Sequence, residues 1–208
     1  MKYPCTGVIL AGGMNTRFSG RDKAFIPVDG KPIIERLGAI FQELFEEIIL
    51  VTNTPQKYLA WDFHIVTDLF SFRSSLTGIQ AGLFHATRPY AFFAACDTPF
   101  LKKEMVQTII EAMESGFDIV IPETSAGLEP LCAVYSTRCL KIIEMNLAHR
   151  KLKIQMLFKK VRVKKIPETV LRNIDRDLIS FFNINTPEDL ARAEALVVDN
   201  PITGTLCK

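Results

Sequence analysis

The sequence predicts a three-layer α/β/α fold with a mostly parallel central sheet. Three observations predict it. Short apolar runs alternate with segments of helical periodicity from the start of the chain. The runs are apolar on both faces, as strands covered by helices on each side must be. Two of them stop abruptly, one at adjacent glycines and one at Cys96-Asp97. Sheets of this class bind ligands beyond the carboxyl ends of their strands, so the residues after each run are the ones to examine.

Gly7-Val8-Ile9-Leu10 reads as a buried strand entering a tight turn. From Pro32, the residues Ile33, Ile34, Leu37, Ile40, Phe41, Leu44 and Phe45 recur at helical spacing, with Pro32 suited to a first turn. Ile48-Ile49-Leu50-Val51 and Ile65-Val66 are the second and third strands. Leu76 to Ala86 is a helix, and Phe92-Phe93-Ala94-Ala95 is the fourth strand. Lys102 to Ser115 is an amphipathic helix closed by Gly116. Asp118 to Ile121 is a strand stopped by Pro122, and Pro130 to Tyr135 is another. Arg138 to Ala148 is helical. Phe181 to Asn185 reads as a last strand, whose alternation puts Asn183 and Asn185 on one face. Thr186-Pro187-Glu188-Asp189 then opens a helix, with Thr186 as N-cap, Pro187 at N1 and Asp189 at N3. Residues 1–198 form one domain, and 199–208 read as a flexible tail.

The chain has 208 residues, 25 basic and 23 acidic, for a formal net charge of +2. Hydrophobic residues make up 48%, too many for a disordered chain. The near-neutral balance argues against a nucleic-acid partner held by counterion release. No apolar run approaches the length of about 18 residues needed to cross a bilayer, so no membrane partner is expected. Nothing near Met1 reads as a secretory leader. The five cysteines are odd in number and form no CxxC pair, which suits a reducing cytoplasm better than a disulfide framework or a zinc site. His64, His85 and His149 show no metal-ligand spacing. Trp61 and the phenylalanines read as core.

The strongest chemical signal is the stretch from Leu10 to Ala24, Leu-Ala-Gly-Gly-Met-Asn-Thr-Arg-Phe-Ser-Gly-Arg-Asp-Lys-Ala. Adjacent glycines, Gly12 and Gly13, let a backbone approach phosphate oxygens and aim N–H groups at them. Arg17 can grip phosphate with two donors, while Lys23 acts as a mobile point charge. A surface turn with ordinary solvated cations is the plainer reading. The spacing is neither a dinucleotide fingerprint nor a P-loop. Asp97 follows an apolar strand, where a carboxylate can face a cleft and take part in a Mg²⁺ shell, or simply cap the next helix. Cys96 reads as a packing residue.

The motif and its sequels resemble the nucleotidyltransferases, in particular the molybdenum cofactor guanylyltransferases. The resemblance runs through Leu10-Ala11-Gly12-Gly13, Arg17-Phe18, Asp22-Lys23, Asp68 and Leu76-Thr77-Gly78-Ile79. It continues in Cys96-Asp97-Thr98-Pro99-Phe100, Glu129-Pro130-Leu131 and Phe182 to Leu190, over about nine-tenths of the chain. It implies a Rossmann-like nucleotidyltransferase domain that transfers GMP from GTP to molybdopterin (molybdenum cofactor), releasing pyrophosphate, with Mg²⁺ as cofactor. It implies a catalytic set of Arg17, Lys23 and Asp97. It implies GTP contacts from Leu10, Ala11, Gly12, Gly13, Lys23, Asn53, Asp68 and Asp97, and metal contacts from Asp97 and Asn185. It also implies a cytoplasmic enzyme in transient contact with cofactor-biosynthesis or molybdoenzyme-chaperone proteins. Asp68 can accept from a guanine edge or from ribose hydroxyls. Asn185 can equally be a cap or turn residue. Where the family often reads Gly-Pro, this chain has Ser74-Ser75.

Two further features bear on substrate. Gly12 lacks the Cβ of the alanine common in cytidylyl relatives, leaving room beside a base and favouring guanine. Residues 150–165 hold eight Lys and Arg and no acid. Such a run is a solvated surface or meets an anion, and Arg150, Lys151 and Lys153 are the candidates to hold the acceptor's phosphate. The competing readings are a related nucleotidyltransferase using CTP or another phosphate-bearing acceptor, a nucleotide-binding regulator without turnover, and a Rossmann oxidoreductase.

Overall fold

The computed structural model describes residues 2–12 and 22–199. In chain order the strands are β1 (Thr6–Leu10), β2 (Pro27–Val28), β3 (Lys31–Pro32), β4 (Ile48–Val51), β5 (His64–Val66), β6 (Tyr90–Ala95), β7 (Ile119–Thr124), β8 (Gly127–Leu128), β9 (Cys132–Ser136) and β10 (Val163–Pro167). The helices are α1 (Ile33–Leu44), α2 (Ser75–His85), α3 (Lys103–Glu111), α4 (Leu140–Ala148), α5 (Gln155–Phe158), α6 (Glu168–Ile174) and α7 (Pro187–Asp199).

The main sheet runs β10-β7-β9-β6-β1-β4-β5, with β8 paired to β7. All its lateral contacts along that path are parallel except those of β9, which is antiparallel to both β6 and β7. Alternation along each strand divides the core in two. Ile9, Leu50, Phe92 and Ala94 face one layer with α1 and α3. Val8, Leu10, Ile49, Val51 and Phe93 face the other with α2 and α4. This is the expected three-layer arrangement. Gly82 shows how close the second layer lies: a Cβ there would come within 2.7 Å of both Phe93 and Val8.

The register sets the site. Leu10 pairs with Val51 on one side and Ala95 on the other, and Val51 pairs with Val66. Four strand ends therefore stop level with one another. The ladder continues one step past them, through Ala11 N–H to Val51 O at 2.8 Å, Cys96 N–H to Leu10 O at 3.0 Å and Thr52 N–H to Val66 O at 2.9 Å.

Several boundaries differ from those the sequence predicts. The strand at Ile119 runs through Pro122 to Thr124. Its pairing with β9 ends at Val120, so the missing N–H of Pro122 breaks no rung there, and its carbonyl accepts from Glu129 N–H at 3.1 Å. The helix from Lys103 ends at Glu111, where a bond from Met113 N–H to Ile110 O tightens the turn, and Gly116 takes up φ +107° four residues beyond Ala112.

Phe181 to Asn185 is not a strand. Its N–H groups go elsewhere: Phe181 and Phe182 into a 3₁₀ turn, Ile184 to Asp97 O at 2.9 Å, and Asn185 to the Asp189 carboxylate at 2.9 Å. The shared-face argument for Asn183 and Asn185 falls with it. Asn183 instead bonds back to Phe181 O at 3.1 Å. The helix start at Pro187 is as expected, with Thr186 Oγ1 accepting from Asp189 N–H at 3.2 Å and Asp189 accepting from Thr186 N–H at 2.9 Å.

The aromatic residues are also less uniform than expected. Phe41, Phe45, Phe92 and Phe93 are fully buried, Trp61 is half-buried against Phe25 and Tyr58, and Phe84 is 55% exposed. Among the described residues no helix is long and apolar enough to cross a membrane. The described cysteines, Cys5, Cys96, Cys132 and Cys139, are free and buried.

Candidate active site

A cavity of about 620 Å³ opens at the level strand ends. Leu10, Ala11 and Gly12 enter it from β1, Asn53 from beyond β4, Asp68 from beyond β5, and Cys96 and Asp97 from beyond β6. Asp68 and Asp97 thus lie on loops whose strands are three sheet spacings apart, on the order of 14 Å. That span suits a nucleoside carrying a chain of phosphates.

The polar side chains form two groups. In the first, Asn53 Nδ2 donates to Asp68 Oδ2 at 2.8 Å. The bond fixes both residues and leaves the Asn53 amide oxygen and the second Asp68 oxygen for a ligand. In the second, Lys23 Nζ donates to Asn185 Oδ1 at 2.7 Å and pairs with Asp97 Oδ2 at 3.5 Å. Lys23 and Asp97 are 18% and 22% exposed, so their charges are poorly screened. Burial holds the Asp97 carboxyl above its ordinary range, and the Lys23 ammonium offsets only part of that rise. Its Oδ1 is buried with no hydrogen-bond partner among the described residues. An orphaned carboxylate oxygen on a residue that shares Lys23 with an amide oxygen is a hard-donor set that suits Mg²⁺, which needs only one or two protein carboxylates. Among the described residues there is no cluster of three or more His, Cys, Asp or Glu that could hold a metal.

Most of the residues singled out in the sequence therefore meet here. Leu10, Ala11, Gly12, Lys23, Asn53, Asp68 and Asp97 line the cavity, and Asn185 joins it through Lys23. Gly13 and Arg17 lie outside the described residues. Arg150 adopts φ +56° and places its guanidinium 4.1 Å from the centre of the Phe72 ring, next to cavity-lining Ser71 and Arg73. Lys151 and Lys153 are exposed and are not among the lining residues. Three of the remaining cations meet carboxylates from elsewhere in the chain: Arg162 meets Asp118 at 3.6 Å, Lys165 meets Glu123 at 2.7 Å, and Lys164 meets Glu114, while Lys160 donates to Asn146 Oδ1 at 3.2 Å.

Sequence reasoning assigned no role to several residues that matter here. Asp22 is buried, caps the turn that carries Lys23 by accepting from Ala24 N–H at 3.3 Å, and accepts from the Tyr58 hydroxyl at 3.0 Å. Its place directly before Lys23 was the available signal. Arg73 and Ser71 had none, since they sit in an irregular loop. Ser74 replaces the stiff Gly-Pro with a capping box: its Oγ accepts from Thr77 N–H, and Thr77 Oγ1 accepts from Ser74 N–H, both at 3.1 Å. Cys96 carries a thiol that burial pushes far up, in keeping with a packing role.

A family model described as the MobA-like NTP transferase domain matches residues 7–164. The chain belongs to the MobA-like NTP transferase family. It is similar to a molybdenum cofactor guanylyltransferase of Desulfosudis oleivorans, 49% identical over 192 residues that cover 92% of this chain and 95% of the relative. A relative from Natranaerobius thermophilus is 38% identical over 193 residues, 90% of this chain and 94% of its own length. Among solved structures, molybdopterin-guanine dinucleotide biosynthesis protein A of Archaeoglobus fulgidus superposes with a TM-score of 0.83 at 30% identity, covering 93% of this chain and 99% of that one. The chain is a nucleotidyltransferase, on a Rossmann-like sheet of the expected class.

Proposed function

We propose that this enzyme transfers GMP from GTP to molybdopterin, forming the guanine dinucleotide of the cofactor and releasing pyrophosphate, with Mg²⁺. The observation that carries the proposal is the pairing of two polar groups in one cavity: Asn53–Asp68 for a nucleoside, and Lys23–Asp97–Asn185 for its phosphates. The names of the curated relatives support the choice of base and acceptor.

An oxygen of the acceptor's terminal phosphate forms a bond to the α-phosphorus of GTP, and the bond from the α-phosphorus to the bridging oxygen breaks, taking its electron pair into pyrophosphate. Such a transfer needs positioning and charge neutralisation rather than a covalent nucleophile. Lys23 opposes the charge gathering on the departing phosphates. Asn185 accepts one of its three donors and so fixes where the ammonium points. Gly12 and Gly13 admit the triphosphate to the backbone, and Arg17 shares its charge. Asp68, steadied by Asn53, accepts from the guanine edge or the ribose hydroxyls. Asp97 and Asn185 would hold Mg²⁺, which would supply a compact double positive charge to neutralise the phosphate oxygens. Arg150, stacked on Phe72 beside the lining residues Ser71 and Arg73, is the acceptor-side cation of this reading. Lys151 and Lys153 add to the field that draws a phosphate in.

Competition binding with GTP, CTP and ATP at equal concentration, with Mg²⁺ present, tests the base. GTP should displace the other two. Equal affinity, or a preference for CTP, would place the enzyme with the cytidylyl cousins.

A further inference from the structure

Asn185 and Asp97 meet at Lys23, yet the segment that carries Asn185 belongs to no strand and to no regular helix. Residues 175–186 lie instead along the loop 96–102 that follows β6. At one end of this contact, Ile184 N–H donates to Asp97 O at 2.9 Å. In its middle the rings of Phe100 and Phe182 lie 6.0 Å apart. At the other end sits Asp175, 2% exposed. Both of its oxygens are used. Oδ1 accepts from Lys102 Nζ at 2.9 Å, and Oδ2 accepts from Ser180 N–H at 2.7 Å. Lys102 N–H in turn donates to Ser180 Oγ at 3.3 Å.

We propose that Asp175 is a positioning residue: the ion pair of its buried carboxylate with the half-buried Lys102 locks the two segments in register and so sets the spacing of Asn185 and Asp97. The inference rests on the reading that those two residues face the metal and the triphosphate. A buried, fully bonded carboxylate tolerates little displacement, because losing a partner leaves a charge without solvent. A clamp of that kind gives an irregular segment the precision that strand ends have by construction. Asp175 does not line the cavity, so its effect passes through Asn185.

The test uses the full chain with Mn²⁺ as probe and a non-hydrolysable GTP analogue. Free Mn²⁺ is read by its electron paramagnetic resonance signal, and amide exchange is followed over residues 181–190. In Asp175→Asn, and independently in Lys102→Gln should the first variant fold poorly, exchange across 181–190 should rise at least tenfold. Mn²⁺ affinity should fall at least tenfold, while the far-UV circular dichroism stays that of the parent. Lys102→Arg, which keeps the charge, should restore both. Unchanged exchange, or raised exchange with parental Mn²⁺ affinity, would overturn the positioning role and leave the pair as a fold contact. If the parent enzyme takes up no Mn²⁺ with the nucleotide, the metal reading fails first and the positioning role falls with it, an outcome separate from the other two.

Discussion

Asp97 and Asn185 face the same lysine from two kinds of structure. Asp97 leaves a buried strand whose neighbour on one side is β1, in register to the last residue. Asn185 leaves a run of turns fastened by side chains: Asp175 to Lys102, Asp189 to the backbone of Asn185 and Thr186. The sheet holds Asp97 through many small backbone bonds, none of which is singly critical. Asn185 depends on a few side-chain contacts. Single substitutions should therefore be felt differently in the two regions.

The largest effects should come from removing the charges themselves. Lys23→Ala and Asp97→Asn should each lower turnover by at least about a hundredfold, the usual cost of one preorganised electrostatic contact. Asp97→Asn should not lower the melting temperature, because burial disfavours the charged carboxylate and an amide removes that cost. A folded Asp97→Asn enzyme with normal turnover would remove Asp97 from the chemistry. Thr186→Ala deletes the N-cap of α7 and should cost about 0.5–2 kcal/mol in denaturant unfolding. It should also slow turnover more than that loss predicts, since the cap adjoins Asn185. An effect confined to stability would mean that Asn185 is held well enough without it.

Gly82→Ala sharpens the contrast from the sheet side. Its Cβ meets Phe93 and Val8, so overpacking should destabilise the protein by about 1–3 kcal/mol, again read by unfolding. The Michaelis constant of the folded fraction should hardly move, because many rungs fix the strand ends. The smallest effects belong to the rim. Removing charge at Lys151 and Lys153 together should weaken acceptor binding a few-fold and make it less salt-sensitive, with GTP affinity kept. Arg150→Ala should weaken it more, because Phe72 loses its partner. Equal titration curves for all three would make the run a solvated surface only.

The same contrast explains what could be read in the sequence. Strand runs such as Ile48 to Val51 and the periodic helix from Ile33 announce themselves through burial on fixed faces, and so do the residues just beyond a strand end, among them Asp97 and Asp68, each two positions past its strand. Asn53 and Asp68 are chosen separately in the sequence, but only the structure shows them bonded to each other. The run Phe181 to Asn185 looks like a strand because its aromatic residues are core-seeking. Nothing local reveals that its N–H groups are claimed by Asp97 and Asp189. Asp175 had no signal at all, since a lone aspartate between helices reads as a turn until Lys102, 73 positions away, is seen beside it. Long-range side-chain fastening carries no periodicity, and periodicity is what a sequence displays.

Transfer of GMP to the acceptor can be followed directly. GTP labelled at the α-phosphorus is incubated with the enzyme, Mg²⁺ and molybdopterin, and the label is followed with pyrophosphate release. The label should move into a molybdopterin dinucleotide with one pyrophosphate released per label transferred. Transfer should stop in Lys23→Ala and on chelation, without unfolding. Label that stays in GTP while labelled CTP is transferred under the same conditions would contradict GMP transfer.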